Sequence, residues 1–324
     1  MNAGWVRAQR PAVVRPDTPE LLDWRWENER ERDGRLRRTL TLFLAGAECP
    51  FSCVFCDLWQ HTLETPTAEG ALVAQIDEGL RRAGVTLDES CVESGAGSPH
   101  DSDLRDIKLQ DIAVKLYNAS NFFESRAVPD VDDARIARRL ASCARVTVEC
   151  HPKLVGERAW RFADRLDGEL EIATGFETCH PDAHRRLGKG TTVDDFDRLF
   201  AALARRQIAC RAFVLLGAPF VPAAETVDWA IRSVHHARER GVGRITLIPV
   251  HGGNGMLDEL GRRGAWRQPA LDELEDAYDA CLFDDCVVTV DLWDLERLYG
   301  DAPNFAARLA RLEAINESGR ARSR

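Results

Sequence analysis

The sequence predicts an α/β fold built on a parallel sheet, and two patterns carry that prediction. Six short runs of strand-forming apolar residues are each followed by a stretch with helical apolar spacing, at intervals of a few tens of residues. The connections are long enough for right-handed crossovers and too long for hairpins. Counting units does not separate an open doubly wound sheet from a barrel that closes only in part.

The elements follow in order. Strand one covers about 39–45, with Leu40, Leu42 and Leu44, and Leu72, Val73, Ile76 and Leu80 mark a helix over 68–83. Strand two (111–117) precedes a helix carrying Ile136, Ala137, Leu140 and Ala141. Strand three (145–150) precedes one carrying Trp160, Ala163 and Leu166. After strand four (170–176), Thr192 and Asp195 resemble a capping box that opens a helix with Phe196, Leu199, Phe200 and Leu203 on one stripe. Strand five (208–216) is paired with a helix bearing Val227, Ala230, Ile231 and Val234, and strand six covers 244–250.

Three regions fall outside the repeat. Residues 1–37 read as an N-terminal helical extension, in which Trp24, Trp26 and the charged run up to Gly34 form a short solvated helix that packs its tryptophans on the domain. Residues 88–108, with Gly95-Ala96-Gly97-Ser98-Pro99, read as an inserted loop or lid. Residues 256–324 form a C-terminal extension with helices near 271–282 and 304–315, the apolar run 287–290 and a basic tail. This extension is placed to close the open side of the sheet.

Composition narrows the function. A chain of 324 residues, 44% hydrophobic and 30% charged, suits one α/β domain with extensions at 1–37 and 256–324 around a core at 38–255. No apolar run reaches the length of a membrane span and the N-terminus lacks a secretory signal, so the expected location is the cytoplasm. Ten cysteines then read as reduced thiols, some of them metal ligands. A net charge of -10 argues against a general polyanion-binding surface.

The chemistry concentrates in Cys49-Pro50-Phe51-Ser52-Cys53-Val54-Phe55-Cys56, directly after strand one. Three thiols at C-x3-C-x2-C spacing can converge on one metal centre, and the run holds no fourth ligand to close its coordination. The alternative is a structural zinc knuckle completed by His61 or a distant cysteine. The spacing, with the aromatic Phe55 before the last cysteine, resembles the radical S-adenosylmethionine (radical SAM) superfamily. The resemblance implies a (β/α)6 partial TIM barrel with the cluster loop after its first strand. It further implies a [4Fe-4S] cluster held by Cys49, Cys53 and Cys56, with SAM on the open iron, cleaved by one electron to a 5'-deoxyadenosyl radical that takes hydrogen from a substrate. An external donor of flavodoxin or ferredoxin type is implied as well.

Carried onto this sequence, the resemblance assigns further cofactor contacts. Asn118 and Ser120 end strand two, where the family has a Gly-Gly-Glu-like element facing the methionine amine; here the glycines and the glutamate are missing, and a plain turn is the other reading. Gly175-Phe176-Glu177-Thr178 resembles a family strand end in which Glu177 meets the ribose or amine of SAM, and Lys189 would pair with its carboxylate. Gly217, Pro249 and Val250 mark where backbone passes the adenine. Cys150-His151-Pro152 and Cys179-His180-Pro181 echo one another, either as a second metal site or as packed thiols beside surface imidazoles. Cys281 and Cys286 lack a third partner for a cluster.

A looser similarity runs nearly end to end, through 115–123, Glu149 with His151-Pro152, Gly188-Lys189-Gly190 and Gly264-Ala265-Trp266-Arg267-Gln268-Pro269. It resembles the archaeosine-forming radical SAM lyases, whose substrate is a modified base in transfer RNA. The acidic net charge and the lack of a recognisable RNA-binding appendage fit a small-molecule or peptide substrate as well. A non-catalytic metal-binding protein is the third reading.

Overall fold

The computed structural model describes residues 2–86 and 107–323. Its strands are β1 (Leu21–Arg30), β2 (Leu36–Leu44), β3 (Val85–Thr86), β4 (Ile107–Lys108), β5 (Ala113–Tyr117), β6 (Arg145–Glu149), β7 (Glu169–Glu177), β8 (Ala209–Leu216), β9 (Arg244–Pro249) and β10 (Val287–Val290). Its helices are α1 (Ala3–Ala8), α2 (Ala71–Arg82), α3 (Asp133–Leu140), α4 (Glu157–Ala163), α5 (Pro181–Arg186), α6 (Val193–Arg205), α7 (Thr226–Glu239), α8 (Met256–Arg262), α9 (Leu271–Asp279), α10 (Leu295–Tyr299) and α11 (Phe305–Ser318). Eight strands form one sheet in the order β1-β2-β5-β6-β7-β8-β9-β10. β1 runs antiparallel to β2, and every other pairing in it is parallel.

The side chains show that this sheet curls. β9 lies six strand steps from β1, roughly 29 Å in a flat sheet, yet Arg244 of β9 pairs with Glu31, next to the end of β1. Arg211 of β8 likewise reaches Glu29 at 2.8 Å. The result is an incomplete barrel with its apolar outer face under the helices. Leu40, Leu42, Val114, Val148, Ile172, Val214, Leu247 and Val288 belong to that core. The predicted capping box is present, with Thr192 Oγ1 accepting from the Asp195 amide and the Asp195 carboxylate from the Thr192 amide.

One expectation is corrected and another is made specific. The charged run expected as a helix is the strand β1, antiparallel to β2. Glu27, Glu29 and Glu31 recur at a spacing of two, which puts all three carboxylates on the inner face of a strand and scatters them around a helix. There they meet Lys115, Arg145, Arg211 and Arg244. The run 287–290 is a seventh parallel strand, paired with β9 in register Val287 to Arg244. Beyond it, α11 packs against both β10 and β1. Its Asn316 donates to the carbonyl of Val290 and accepts from the Val290 amide, both at 2.9 Å, satisfying an edge that no further strand among the described residues covers.

Of the inserted stretch 88–108, only β4 falls within the described residues, pairing in parallel with β3. No helix among the described residues is long and apolar enough to cross a membrane.

Candidate active site

The cysteine loop leaves β2 and lies across the C-terminal mouth of the barrel, held from several sides. The Val54 amide donates to the Leu187 carbonyl at 2.8 Å. Gly188 is tight against the loop, since a Cβ there would meet the Ser52 carbonyl oxygen at 2.8 Å. Asn254, after β9, donates to the Val54 carbonyl at 2.9 Å and fixes the start of α8 by accepting from the Leu257 amide. Phe51 stacks on His151 with ring centroids 3.8 Å apart. From the N-terminal segment, Arg7 donates to Ser52 Oγ at 2.9 Å, while Arg10 and Arg15 clamp Glu48.

Cys49, Cys53 and Cys56 are free thiols, each half-buried. Burial pushes Cys53 up to about 12 against the pull of Lys189, with the nearby Cys49 adding to the rise. Burial likewise raises Cys56 well above its ordinary value, with Cys53 next in effect, and it raises Cys49 against hydrogen bonds from the Phe51 backbone and Asn121. Among the described residues no three His, Cys, Asp or Glu side chains are gathered into a ligand set. The three thiols nevertheless act on one another, Cys49 on Cys53 and both on Cys56, and a metal would bind them as thiolates.

The donor set still fits an iron–sulfur cluster. It offers three thiols in one loop, a Lys189 ammonium whose charge acts on Cys53, and Asn121 Nδ2 donating to Cys49 Sγ at 3.1 Å. His61 is exposed. Phe55 packs on an apolar cluster that includes Val54 and Val250.

Around the loop, the strand ends carry polar groups without partners. Asn118 is fully buried, and among the described residues neither its amide nitrogen nor its oxygen has a hydrogen-bond partner; Ser120 Oγ is in the same state. The Asn118 amide lies beside Gly46, three residues before Cys49: a Cβ there would meet Asn118 Nδ2 at 3.6 Å. Buried, unpaired polar atoms in a native fold call for a missing partner. Backbone strain collects here too, with Ala119 at φ 51° and Glu177 at φ 66°, conformations that cost about 1–3 kcal/mol each outside glycine.

Glu177 and Lys189 are brought together, Nζ to Oε1 at 2.8 Å. Gly175 makes this possible, because a Cβ there would land on the Glu177 carboxylate. Burial raises the Glu177 carboxyl against the pull of Lys189. Lys189 overcomes its own burial through Glu177 and Cys53 and stays firmly charged. Glu149 at the end of β6 has no ion-pair partner among the described residues; burial lifts its carboxyl to about 7, with Lys189 lowering it and Glu177 adding to the rise. Gly217 needs its glycine for φ 79° and for Pro269, whose Cδ a Cβ would meet at 2.8 Å. Pro249 ends β9 and Val250 donates its amide to the Leu216 carbonyl.

The echoed Cys-His-Pro segments are helix starts. His151 Nδ1 accepts from the Lys153 amide and His180 Nδ1 from the Ala183 amide, each with proline in the first turn. Cys150 is buried beneath the first of these, and Cys281 and Cys286 are buried in the core. Sequence reasoning missed Asn121, Asn254 and Phe51; loop asparagines flanked by glycine or aromatic residues were the available signal.

No family model matches this chain. It is 23% identical over 252 residues to an uncharacterized protein of Methanocaldococcus jannaschii, MJ0550, covering 74% of this chain and 63% of that protein. Among solved structures, methylornithine synthase (PylB) superposes with a TM-score of 0.53 at 9% identity, over 89% of this chain and 72% of that one. Streptococcus suis SuiB bound to the precursor peptide SuiA gives 0.52 at 10% identity, over 79% of this chain and 49% of SuiB. The chain therefore spans under two thirds of MJ0550 and about half of SuiB. The barrel is similar to those of PylB and SuiB, and at these identities the likeness establishes the fold alone.

Proposed function

We propose that this chain is a radical SAM enzyme whose cluster is held by Cys49, Cys53 and Cys56. The observation that supports it best is the pairing of three free thiols in the loop after β2 with buried, partnerless polar groups at the next strand end, Asn118 and Ser120. When bound, a [4Fe-4S] cluster with SAM at its open iron supplies one-electron cleavage of the sulfonium to a 5'-deoxyadenosyl radical.

The chain's own residues bind and orient. Asn118 and Ser120 offer hydrogen bonds to the amine end of the nucleotide, relieving their own lack of partners. The Glu177–Lys189 pair holds one carboxylate and one ammonium at the mouth, able to take the opposite charges of an amino-acid moiety. Asn121 steadies the Cys49 sulfur, and the Phe51–His151 stack with Asn254 fixes the loop against the barrel. An electron donor of flavodoxin or ferredoxin type is required. The fold likeness gives no preference for an archaeosine-forming lyase over other members.

The test is anaerobic reconstitution with iron and sulfide, reduction by dithionite and addition of SAM. A cluster whose EPR signal shifts on SAM addition, absent in Cys53→Ala, supports the reading. A metal site indifferent to SAM contradicts it and favours a non-catalytic metal-binding protein.

A further inference from the structure

We propose that the mouth of the barrel between Asp291 and the rings of Phe43, Tyr117, Phe213 and Trp293 binds the ammonium group of a small organic substrate. The inference rests on the reading that the reaction takes place at this mouth, and its test is independent of the cluster.

Period-two alternation puts Phe43 of β2, Tyr117 of β5 and Phe213 of β8 on the inner face, the same face as the Arg211 and Lys115 side chains below them. They form one continuous wall. Tyr117 lies 6.3 Å from Phe43 and 6.5 Å from Phe213 between ring centroids, and Trp293, just past β10, closes on Phe43 at 4.9 Å and on Tyr117 at 6.4 Å. Trp293 is 42% exposed, a large apolar surface at an entrance. The rings meet tilted or edge-on, and they already draw cations of the chain, Lys115 Nζ 6.0 Å from the Tyr117 centroid and the Arg25 guanidinium 5.9 Å from that of Trp293.

Asp291 joins that wall. Thr289 of β10 bonds Thr246 of β9 through their side-chain hydroxyls, and Asp291, two residues on, shares that face. One carboxylate oxygen accepts from the Trp293 amide at 3.1 Å. No cation among the described residues lies within ion-pair distance of Asp291. The cations nearby are committed: Lys115 to Glu27 and Glu29, each at 2.7 Å, Arg25 to Asp23 and Arg297 to Asp294. A carboxylate without a counter-ion beside aromatic faces attracts a cation from both directions, since ring quadrupole and charge act with the same sign. A neutral or anionic group gains nothing from either.

The probes are benzylammonium, benzyl alcohol and benzoate, titrated into the metal-free full-length chain and followed by ligand-observed NMR. Benzylammonium is expected to bind at least about tenfold more tightly than benzyl alcohol, as a charge-assisted hydrogen bond requires, with benzoate weakest. Asp291→Asn keeps an acceptor for the Trp293 amide and should erase the preference, while Trp293→Ala weakens benzylammonium itself. Should Asp291→Asn fail to fold, the comparison of the three probes on the wild type decides. Equal binding of the probes, no binding by any, or a preference that survives Asp291→Asn and disappears in Glu149→Gln overturns the proposal. Failure of SAM cleavage would leave this result untouched.

Discussion

The two ends of the barrel use charge in opposite ways. At the N-terminal floor, Glu27, Glu29, Glu31 and Glu171 are matched against Lys115, Arg145, Arg211 and Arg244. Burial pushes Glu171 up, but Arg211, Arg145 and Arg244 bring it down to about 2; Glu29, also buried, is held well below its ordinary value by Arg211, Lys115 and Arg145. At the C-terminal mouth, burial wins: Glu149 rises to about 7 and Asp291 is also raised, while the Asn118 and Ser120 side chains have no hydrogen-bond partners among the described residues. The floor's charges complete one another, tying β1 across to β8 and β9. On the proposed reading the mouth's polar groups are completed by a cluster and SAM, in keeping with barrels that keep stability at one end and chemistry at the other.

The largest expected effect breaks the floor. Glu171→Gln leaves Arg211 and Arg244 short of a buried partner and should cost about 3–5 kcal/mol in urea unfolding. The same change at the mouth, Glu149→Gln, should leave stability unchanged or raise it above neutral pH; equal losses would erase the distinction.

Acid sharpens the contrast next. Glu171 titrates at about 2 folded against 4.5 ordinarily, so its contribution is complete above about 4.5 and is lost as pH falls towards 2. Glu149 has the reverse sign. Its carboxyl sits at about 7 folded, so the folded metal-free protein binds the extra proton and stability falls as pH rises from about 4.5 to 7. Thermal melts across this range should show both limbs, with Glu149→Gln flattening only the upper one. The smallest effect on stability belongs to Asn118→Ala. Removing atoms that bond to nothing should shift ΔG by less than about 1 kcal/mol, yet equilibrium dialysis of the reconstituted protein should show several-fold weaker SAM retention.

Much of this was legible in the sequence. The six strands predicted from apolar runs are found within a few residues, because strands buried on the outer face write themselves as Leu, Val and Ile. The cysteine triplet was equally plain, a local spacing needing no tertiary knowledge. β1 was misread because its inner face is charged: an alternation of glutamates does not look like a strand until four cations from other strands stand opposite. Asn254 and Asn121 act on the cysteine loop from far along the chain, and no local pattern announces a contact made only by folding. The echoed Cys-His-Pro segments left a second metal site and packed thiols beside surface imidazoles both open; in the structure both histidines cap helix starts, and His151 is buried rather than at the surface.

The central claim is that the mouth completes itself with a cluster and SAM. It is tested most directly by incubating the reconstituted, dithionite-reduced protein with SAM under anaerobic conditions and measuring 5'-deoxyadenosine. The account predicts its release by the wild type and none by Cys49→Ala, Cys53→Ala or Cys56→Ala. Wild-type protein with a full cluster that leaves SAM intact, or a cysteine variant that cleaves it equally well, would contradict the account.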